Sequence, residues 1–370
     1  MKITAVVKRS VFWVAQLVLA LIVLELCARV DDLLTWQAPF RGDYSEEMLF
    51  VTDSLGYHLR PNGRFQKWHI NSHGFRGPEI TMEKPRGVIR VVTVGASETF
   101  GLYESPGMEY PAQLQALLEK ERPGRYQVLN TAIPGISPSR IGYYFDTWLR
   151  KFSPDFVIYY PTPSFIMEAE EAPPAWKPQP TRDPGFQFKP RISGRFRDFY
   201  KRLAPQSVQT YVRQWLITRA VRNHPTDWVH SSVPPEKVAA FRKELEDLAQ
   251  KVRAGGSEII FATHANLIRS GDTEEERALL IAWRKLSPSK TESCLMETET
   301  RTNEVVTRLG VQYDIPVVDI NTAIPKSSEY FADAAHFTDR GAALAAQAFL
   351  AKILKLESSR VQKNSVDSAN

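Results

Sequence analysis

The stretch Val91–Gly101, VVTVGASETFG, climbs through an apolar run to Gly95, then a small residue, then Ser97. A serine where a buried strand ends is either part of a tight turn or a nucleophile held at the mouth of a sheet. A nucleophilic serine needs a base to take its proton and a further group to orient that base. The histidines stand at 58, 69, 73, 224, 230, 264 and 336, and only His336 has a suggestive context. It lies in YFADAAHFTDRG, just before the last helical pattern, with Asp333 three residues upstream. In a loop leading into a helix that spacing brings carboxylate and imidazole side by side. Asp333 would then hold the ring nitrogen facing away from the serine. D-x-x-H also arises by chance, so the pair alone does not make a triad. Two other motifs fit badly. The nucleophile elbow G-x-S-x-G needs a glycine where Thr99 stands. A phosphate-cradling loop needs a Gly-Lys after Gly95, and there is none.

The elements around these residues alternate. VIRVVTV (88–94) is apolar nearly throughout, as a strand buried on both faces must be. Tyr110–Lys120 reads as a helix stopped by Pro123 and Gly124. YQVLNTAI is a second strand, Ser139–Lys151 a helix, and Phe156–Tyr160 a third strand. Pro235–Ala254 is a helix ending at Gly255-Gly256, followed by EIIFATH as a fourth strand. Asn303–Leu309 reads as the end of another helix, PVVDI (316–320) as a fifth strand, and Thr338–Leu356 as a final Ala-rich helix. The polar tail, 357–370, is expected to be loose. Strands alternating with helices predict an α/β fold with a parallel sheet of about five strands covered on both faces. Ligands of such sheets bind at the carboxyl ends of the strands, the edge where Ser97 falls.

Two regions break the rhythm. Residues 32–87 form a lead-in rich in turn formers (Asp53-Ser-Leu-Gly56, Pro61-Asn-Gly63, Asn71-Ser-His-Gly74) with FQKWHI as a short strand. An insertion at about 165–234 is rich in proline, arginine and aromatic residues. It is too long for a plain connection and reads as a lid, a partner surface or a patch near the membrane. Trp176, Phe186, Phe188, Phe196 and Tyr200 within it either line a carbohydrate groove or, more commonly, form a small local core.

With 370 residues, 43% hydrophobic and 24% charged, the chain can bury a sizeable core. The formal net charge of +5 suits an anionic surface or acidic polymer. No Cys/His cluster has zinc spacing and no basic stripe interleaves with aromatics, so metal, cofactor and nucleic-acid functions are not expected. Lys2, Lys8 and Arg9 precede an apolar run, Val11–Leu24, that contains Gln16 and ends at Glu25. The run reads as a signal-anchor over 11–28 rather than a cleaved signal, since no small-x-small site follows and Leu26 precedes Cys27. The basic flank against Asp31 and Asp32 places residues 1–10 in the cytoplasm and exports the body, giving a single-pass inner-membrane protein. Cys294 is then the only cysteine of the exported part, so no disulfide framework exists there.

Taken together, the chain resembles the SGNH (GDSL-type) hydrolase superfamily over roughly residues 87–356, the insertion set aside. Gly95-Ala-Ser-Glu-Thr-Phe-Gly101 matches the first family block, Asn130-Thr-Ala-Ile-Pro-Gly135 the second, and Asp333–His336 the fifth. SLGYHLRPNG and INSHGFRGPEI resemble the lead-in of membrane-anchored members found with surface polysaccharide synthesis and modification. The resemblance implies a flavodoxin-like three-layer sandwich with Ser97 as nucleophile, His336 as general base then acid, and Asp333 as orienter. The amides of Ser97 and Gly135 would face the oxyanion. Two positions depart from the pattern. Ala96 replaces the usual aspartate, and Pro163 stands where the third block carries its oxyanion asparagine, with Thr162 or Ser164 as a substitute donor. The function implied is an exported esterase or deacylase acting through an acyl-Ser97 on O-acyl, chiefly O-acetyl, groups of a glycan. A polysaccharide O-acetyltransferase with the same residues, and a degenerate glycan-binding or scaffold component of a synthesis complex, are the alternatives. Among the remaining residues, His264 ends the fourth strand and reads as a strand cap or a substrate contact. His73 and Arg76 are expected to hold the lead-in, and Asp319 to serve a turn.

Overall fold

The computed structural model describes residues 2–170 and 190–367, with side chains over 7–170 and 190–359. Trp176, Phe186 and Phe188 lie outside the described residues. The chain opens with α1 (Lys2–Trp36), which from Val7 onward is long and apolar enough to cross a membrane and buries almost none of that surface. At 35 residues it is about 52 Å long, well beyond the roughly 30 Å of a hydrocarbon core. Two short antiparallel hairpins follow, β1 (Phe50–Asp53) with β2 (Gly56–Leu59), and β3 (Arg64–Phe65) with β4 (Trp68–His69).

The body then alternates as its apolar pattern requires. β5 (Ile89–Val94) leads into the single turn α2 (Ser97–Phe100), then α3 (Tyr110–Glu121), β6 (Tyr126–Asn130), α4 (Pro138–Thr147) and β7 (Phe156–Tyr159). After a 3-10 turn at Pro163–Met167 come α5 (Arg191–Leu203), α6 (Gln206–Val221), α7 (Pro235–Ala254) and β8 (Glu258–Ala262). The chain closes with α8 (Glu274–Leu286), α9 (Glu292–Gln312), β9 (Val317–Val318), α10 (Ile320–Ala323) and α11 (Asp339–Asp367).

The five strands β6-β5-β7-β8-β9 form one parallel sheet. Numbered within the sheet their order is 2-1-3-4-5, the flavodoxin-like winding, with its switch point between β5 and β7. Side-chain alternation sorts the core into two layers. Val92, Val94, Val157, Tyr159, Ile259 and Phe261 face the α4, α7 and α9 side. Val91, Phe156, Ile158, Ile260, Ala262 and Val318 face α3 and α11. The fold is therefore the expected three-layer sandwich, with smaller differences at the elements. The fifth strand is only two residues long, because Asp319 caps α10 by accepting from the Thr322 amide at 3.2 Å. Helix α11 runs past Leu356, where a loose tail was expected. Glu357 is buried there, hydrogen-bonded by the Tyr126 hydroxyl and faced by Arg122 and Arg125, which anchors the extra turns.

Candidate active site

The nucleophile turn is shaped by its two glycines. A Cβ on Gly95 would meet Tyr160 O at 2.8 Å, so only glycine lets β5 pass so close to the end of β7. Gly101 has φ +89 and leaves no room beside Glu109 and Arg76, so it ends α2 in a conformation other residues resist. Between them Ser97 is raised on the first turn of α2 at the carboxyl edge of β5.

His336 comes from the loop before α11 and reaches that edge. Its Nε2 lies 2.9 Å from Ser97 Oγ, and its Nδ1 lies 3.0 and 2.9 Å from the two Asp333 carboxylate oxygens. An ionised carboxylate only accepts, so the imidazole proton sits on Nδ1 and Nε2 is left as the acceptor for the serine proton. Asp333 Oδ1 also accepts from the amides of Ala335 and His336, both at 2.9 Å, which closes the D-x-x-H loop on itself. Ser97, His336 and Asp333 thus stand in one hydrogen-bonded line, in the order a serine–histidine–aspartate triad would need.

Its protonation follows from the surroundings. Burial by itself would lower the His336 pKa. The Asp333 hydrogen bond and the charges of Glu98, Asp333 and Glu104 outweigh it and raise it above the ordinary histidine value. Burial would raise Asp333, but hydrogen bonding to His336, the imidazolium charge and two backbone amides bring it down. Tyr103 lies against the imidazole, ring centroids 5.2 Å apart, and its own side chain is half exposed at the mouth of the site.

The groups expected to face an oxyanion are backbone amides. Among the described residues, the amides of Ser97 and Gly135 find no acceptor within the chain, which leaves them free for a ligand. Pro163 is buried at the start of the 3-10 turn and supplies no donor. The Thr162 hydroxyl, expected to replace the missing asparagine, instead gives its one proton to Glu98 Oε2 at 2.8 Å. Ser164 is represented near this point by its carbonyl, which accepts from Lys290 at 3.3 Å.

His264 is not a substrate contact. It is fully buried, with Nδ1 2.7 Å from Glu299 Oε2 and Nε2 facing Glu98 Oε1 at an ion-pair distance of 3.6 Å. Burial disfavours its charge, yet the Glu299 and Glu98 carboxylates push its pKa up to about 9, so at neutral pH it is an imidazolium between two acids. Burial would raise Glu98, but the facing His264 imidazolium and the charge of His336 hold it below the ordinary carboxylate value. Glu98 thus stands as a buried anion directly behind the nucleophile, its Oε2 3.2 Å from Ser97 Oγ. Sequence reasoning passed over Glu98, whose only signal is its place beside the serine.

The lead-in reaches the turn as well. Arg76 donates from Nη1 to the carbonyls of Phe100 and Gly101, both at 2.5 Å, and pairs with buried Glu109 at 2.9 Å. It therefore clamps the carboxyl end of the nucleophile turn, aided by Asn130 Nδ2, which donates to Thr99 O and Phe100 O. His73 is structural: its Nε2 lies 3.0 Å from Ile80 O and its ring packs on Phe152. No cluster of metal-ligating side chains occurs among the described residues.

No family model matches the chain, and no curated protein does. Solved structures with a similar fold include an alpha/beta hydrolase enzyme from the metagenome of Lake Arreo, Spain, at 15% identity and TM-score 0.42, covering 71% of this chain and 94% of that one. The lipase/acylhydrolase from Enterococcus faecalis is 14% identical with TM-score 0.42, covering 72% of this chain and 95% of its own. An acetylxylan esterase from Geobacillus stearothermophilus is likewise 14% identical with TM-score 0.42, covering 72% of this chain and 94% of that one.

Proposed function

We propose that this chain is a membrane-anchored serine esterase that removes O-acyl groups, chiefly O-acetyl, from a glycan on the exported side. The observation that carries the ester chemistry is the unbroken line from Ser97 Oγ to His336 Nε2 and from His336 Nδ1 to Asp333. The non-catalytic alternative has no use for three side chains, from two distant parts of the chain, held in that register. The glycan and the anchor rest on the lead-in motifs and on α1. In support, the lead-in hairpins carry Arg76 onto the nucleophile turn, so that segment belongs to the site's construction.

The geometry supports the following course. His336 Nε2 takes the Ser97 proton as Oγ bonds to the acyl carbon. The carbonyl oxygen becomes an oxyanion held by the Ser97 and Gly135 amides, each such donor being worth about 3 kcal/mol in related sites. The ester C–O bond breaks and the leaving sugar hydroxyl takes its proton from His336, leaving acyl-Ser97. Water then gives a proton to His336 and attacks the acyl carbon. The carboxylic acid departs and Ser97 regains its proton.

The test is chemical. The full chain is treated with a fluorophosphonate probe and, separately, with an activated acetyl ester, with Ser97→Ala and His336→Ala as controls. An adduct on Ser97 that depends on His336 is expected, and the acetyl group should leave to water. Acetyl retained until a glycan hydroxyl is added would move the assignment to a transferase. A folded protein with no adduct would end the catalytic reading.

A further inference from the structure

The insertion carries two successive helices with their apolar faces turned outward. On α5, Phe196, Phe199, Tyr200 and Leu203 fall at i, i+3, i+4 and i+7 and are between 41% and 66% exposed. On α6, Val208, Tyr211, Val212 and Trp215 repeat the same spacing at 37% to 70% exposure. Such a stripe normally faces a core. Two in a row, joined only by Ala204 and Pro205, make an exposed apolar surface of the kind that marks an interaction site. Along them the outward charge is one-sided: Arg195, Arg197, Lys201 and Arg202 on α5 and Arg213 and Arg219 on α6, against Asp198 alone, with Arg191 buried against α1.

The position of α5 selects the partner. Its first turn is fixed to α1 just past the apolar run: the Ile192 amide donates to Glu25 at 3.1 Å. Arg195 reaches Asp31 and Asp32 at 2.7 Å, and Arg191 faces Asp32 at 3.5 Å. A hydrocarbon core of about 30 Å takes about 20 helical residues, so a span beginning near Val11, past Lys8 and Arg9, ends near Val30, beside Asp31 and Asp32. The start of α5 is therefore pinned where the chain leaves the hydrocarbon. Aromatic and aliphatic residues on one face, with arginine and lysine beside them, suit that depth.

We propose that α5 and α6 are interfacial helices that lie on the membrane α1 crosses, their apolar stripes in the headgroup–acyl boundary and their cations on anionic lipid phosphates. This goes beyond the esterase reading and does not depend on it; it depends on α1 as a span. It also has a structural consequence. Helix α6 packs on α8, and Leu280 of α8 packs with Ala334, the neighbour of Asp333. The lipid contact is thus joined through packed side chains to the loop that carries the base, and it fixes how the catalytic edge is presented above the bilayer.

The test uses the full chain with Cys27→Ala, since Cys27 is exposed and Cys294 is buried. Nitroxide labels are placed by Phe199→Cys, Tyr211→Cys and, as the opposite-face control, Asp198→Cys. The protein is reconstituted in vesicles of phosphatidylcholine, alone or mixed with phosphatidylglycerol. Expected is a several-fold higher ratio of oxygen to nickel-chelate collisions at 199 and 211 than at 198, rising further in the anionic vesicles. Nickel-chelate access at 199 and 211 equal to that at 198 would overturn the proposal. So would low access to both reagents, with spin–spin broadening indicating a second copy on the surface and without it a covering protein segment. Ratios equal in the two lipids would remove the anionic-lipid part.

Discussion

Asp333→Asn is the sharpest probe of the site because it turns one acceptor oxygen into a donor and removes the charge with almost no change of volume. In the wild type both carboxylate oxygens lie within 3.0 Å of His336 Nδ1, and Oδ1 also accepts two backbone amides. An asparagine keeps its carbonyl oxygen on those amides and turns its NH2 toward Nδ1. That group donates, so Nδ1 must accept and the imidazole proton moves to Nε2, the nitrogen facing Ser97 at 2.9 Å. The base is then protonated on the wrong side. The corresponding change in serine hydrolases costs about four decades in turnover, which at 1.36 kcal/mol per decade is about 5 kcal/mol of transition-state stabilisation. The pH arm has a definite sign. Wild-type turnover rises with pH as His336 loses its proton, at a value above the ordinary histidine pKa because Asp333, Glu98 and Glu104 favour the cation. Removing the Asp333 charge and hydrogen bond leaves burial less opposed, so the residual activity should rise at lower pH than in the wild type. The assay is hydrolysis of a p-nitrophenyl acetate series from pH 5 to 9, with circular dichroism to confirm the fold. A folded variant within tenfold of wild-type kcat and with an unmoved profile would refute the assignment of Asp333.

Three further outcomes follow from the surroundings of the triad. Arg76→Ala leaves Glu109 buried without its cation and frees the Phe100 and Gly101 carbonyls, and should cost about 3–5 kcal/mol in urea unfolding. His264 has its pKa raised to about 9, so the stability it contributes is whole below about pH 6.5 and is lost as pH rises through 9. His264→Gln should flatten that slope in denaturation curves and lower stability at neutral pH; an unchanged slope would mean the imidazolium is not there. Thr162→Val removes a donor from buried Glu98 and should destabilise by about 1–3 kcal/mol. Its turnover should fall by much less than the roughly hundredfold loss of an oxyanion donor, which steady-state kinetics on the folded variant would show.

The residues themselves determined a good deal. Apolar runs at Val91–Val94, Phe156–Tyr159 and Ile259–Ala262 can only be strands buried on both faces, and the helices between them force a parallel, doubly wound sheet. Gly95 and Gly101 around Ser97, and Asp333 three before His336, are local constraints written in neighbouring positions, so they were legible without the fold. Contacts between distant segments were not. Ser97 and His336, 239 residues apart, were joined in the sequence only by the resemblance of separate motifs; the switch point between β5 and β7 and the α11 entry loop bring them within 2.9 Å. His264 offered the same signal for a ligand as for a structural role, and its burial between Glu98 and Glu299 decided it. Thr162 carried the right hydroxyl for an oxyanion donor, but a hydroxyl has one proton, and only the tertiary placement of Glu98 shows where it goes. The aromatics Phe196 and Tyr200 fitted a local core better than a groove; the fold left them facing outward, with α5 held by its first turn to α1 at Glu25. Period and turn chemistry act over a few residues and can be read along the chain, whereas burial and charge pairing depend on which segments meet, and that is settled only when the sheet closes.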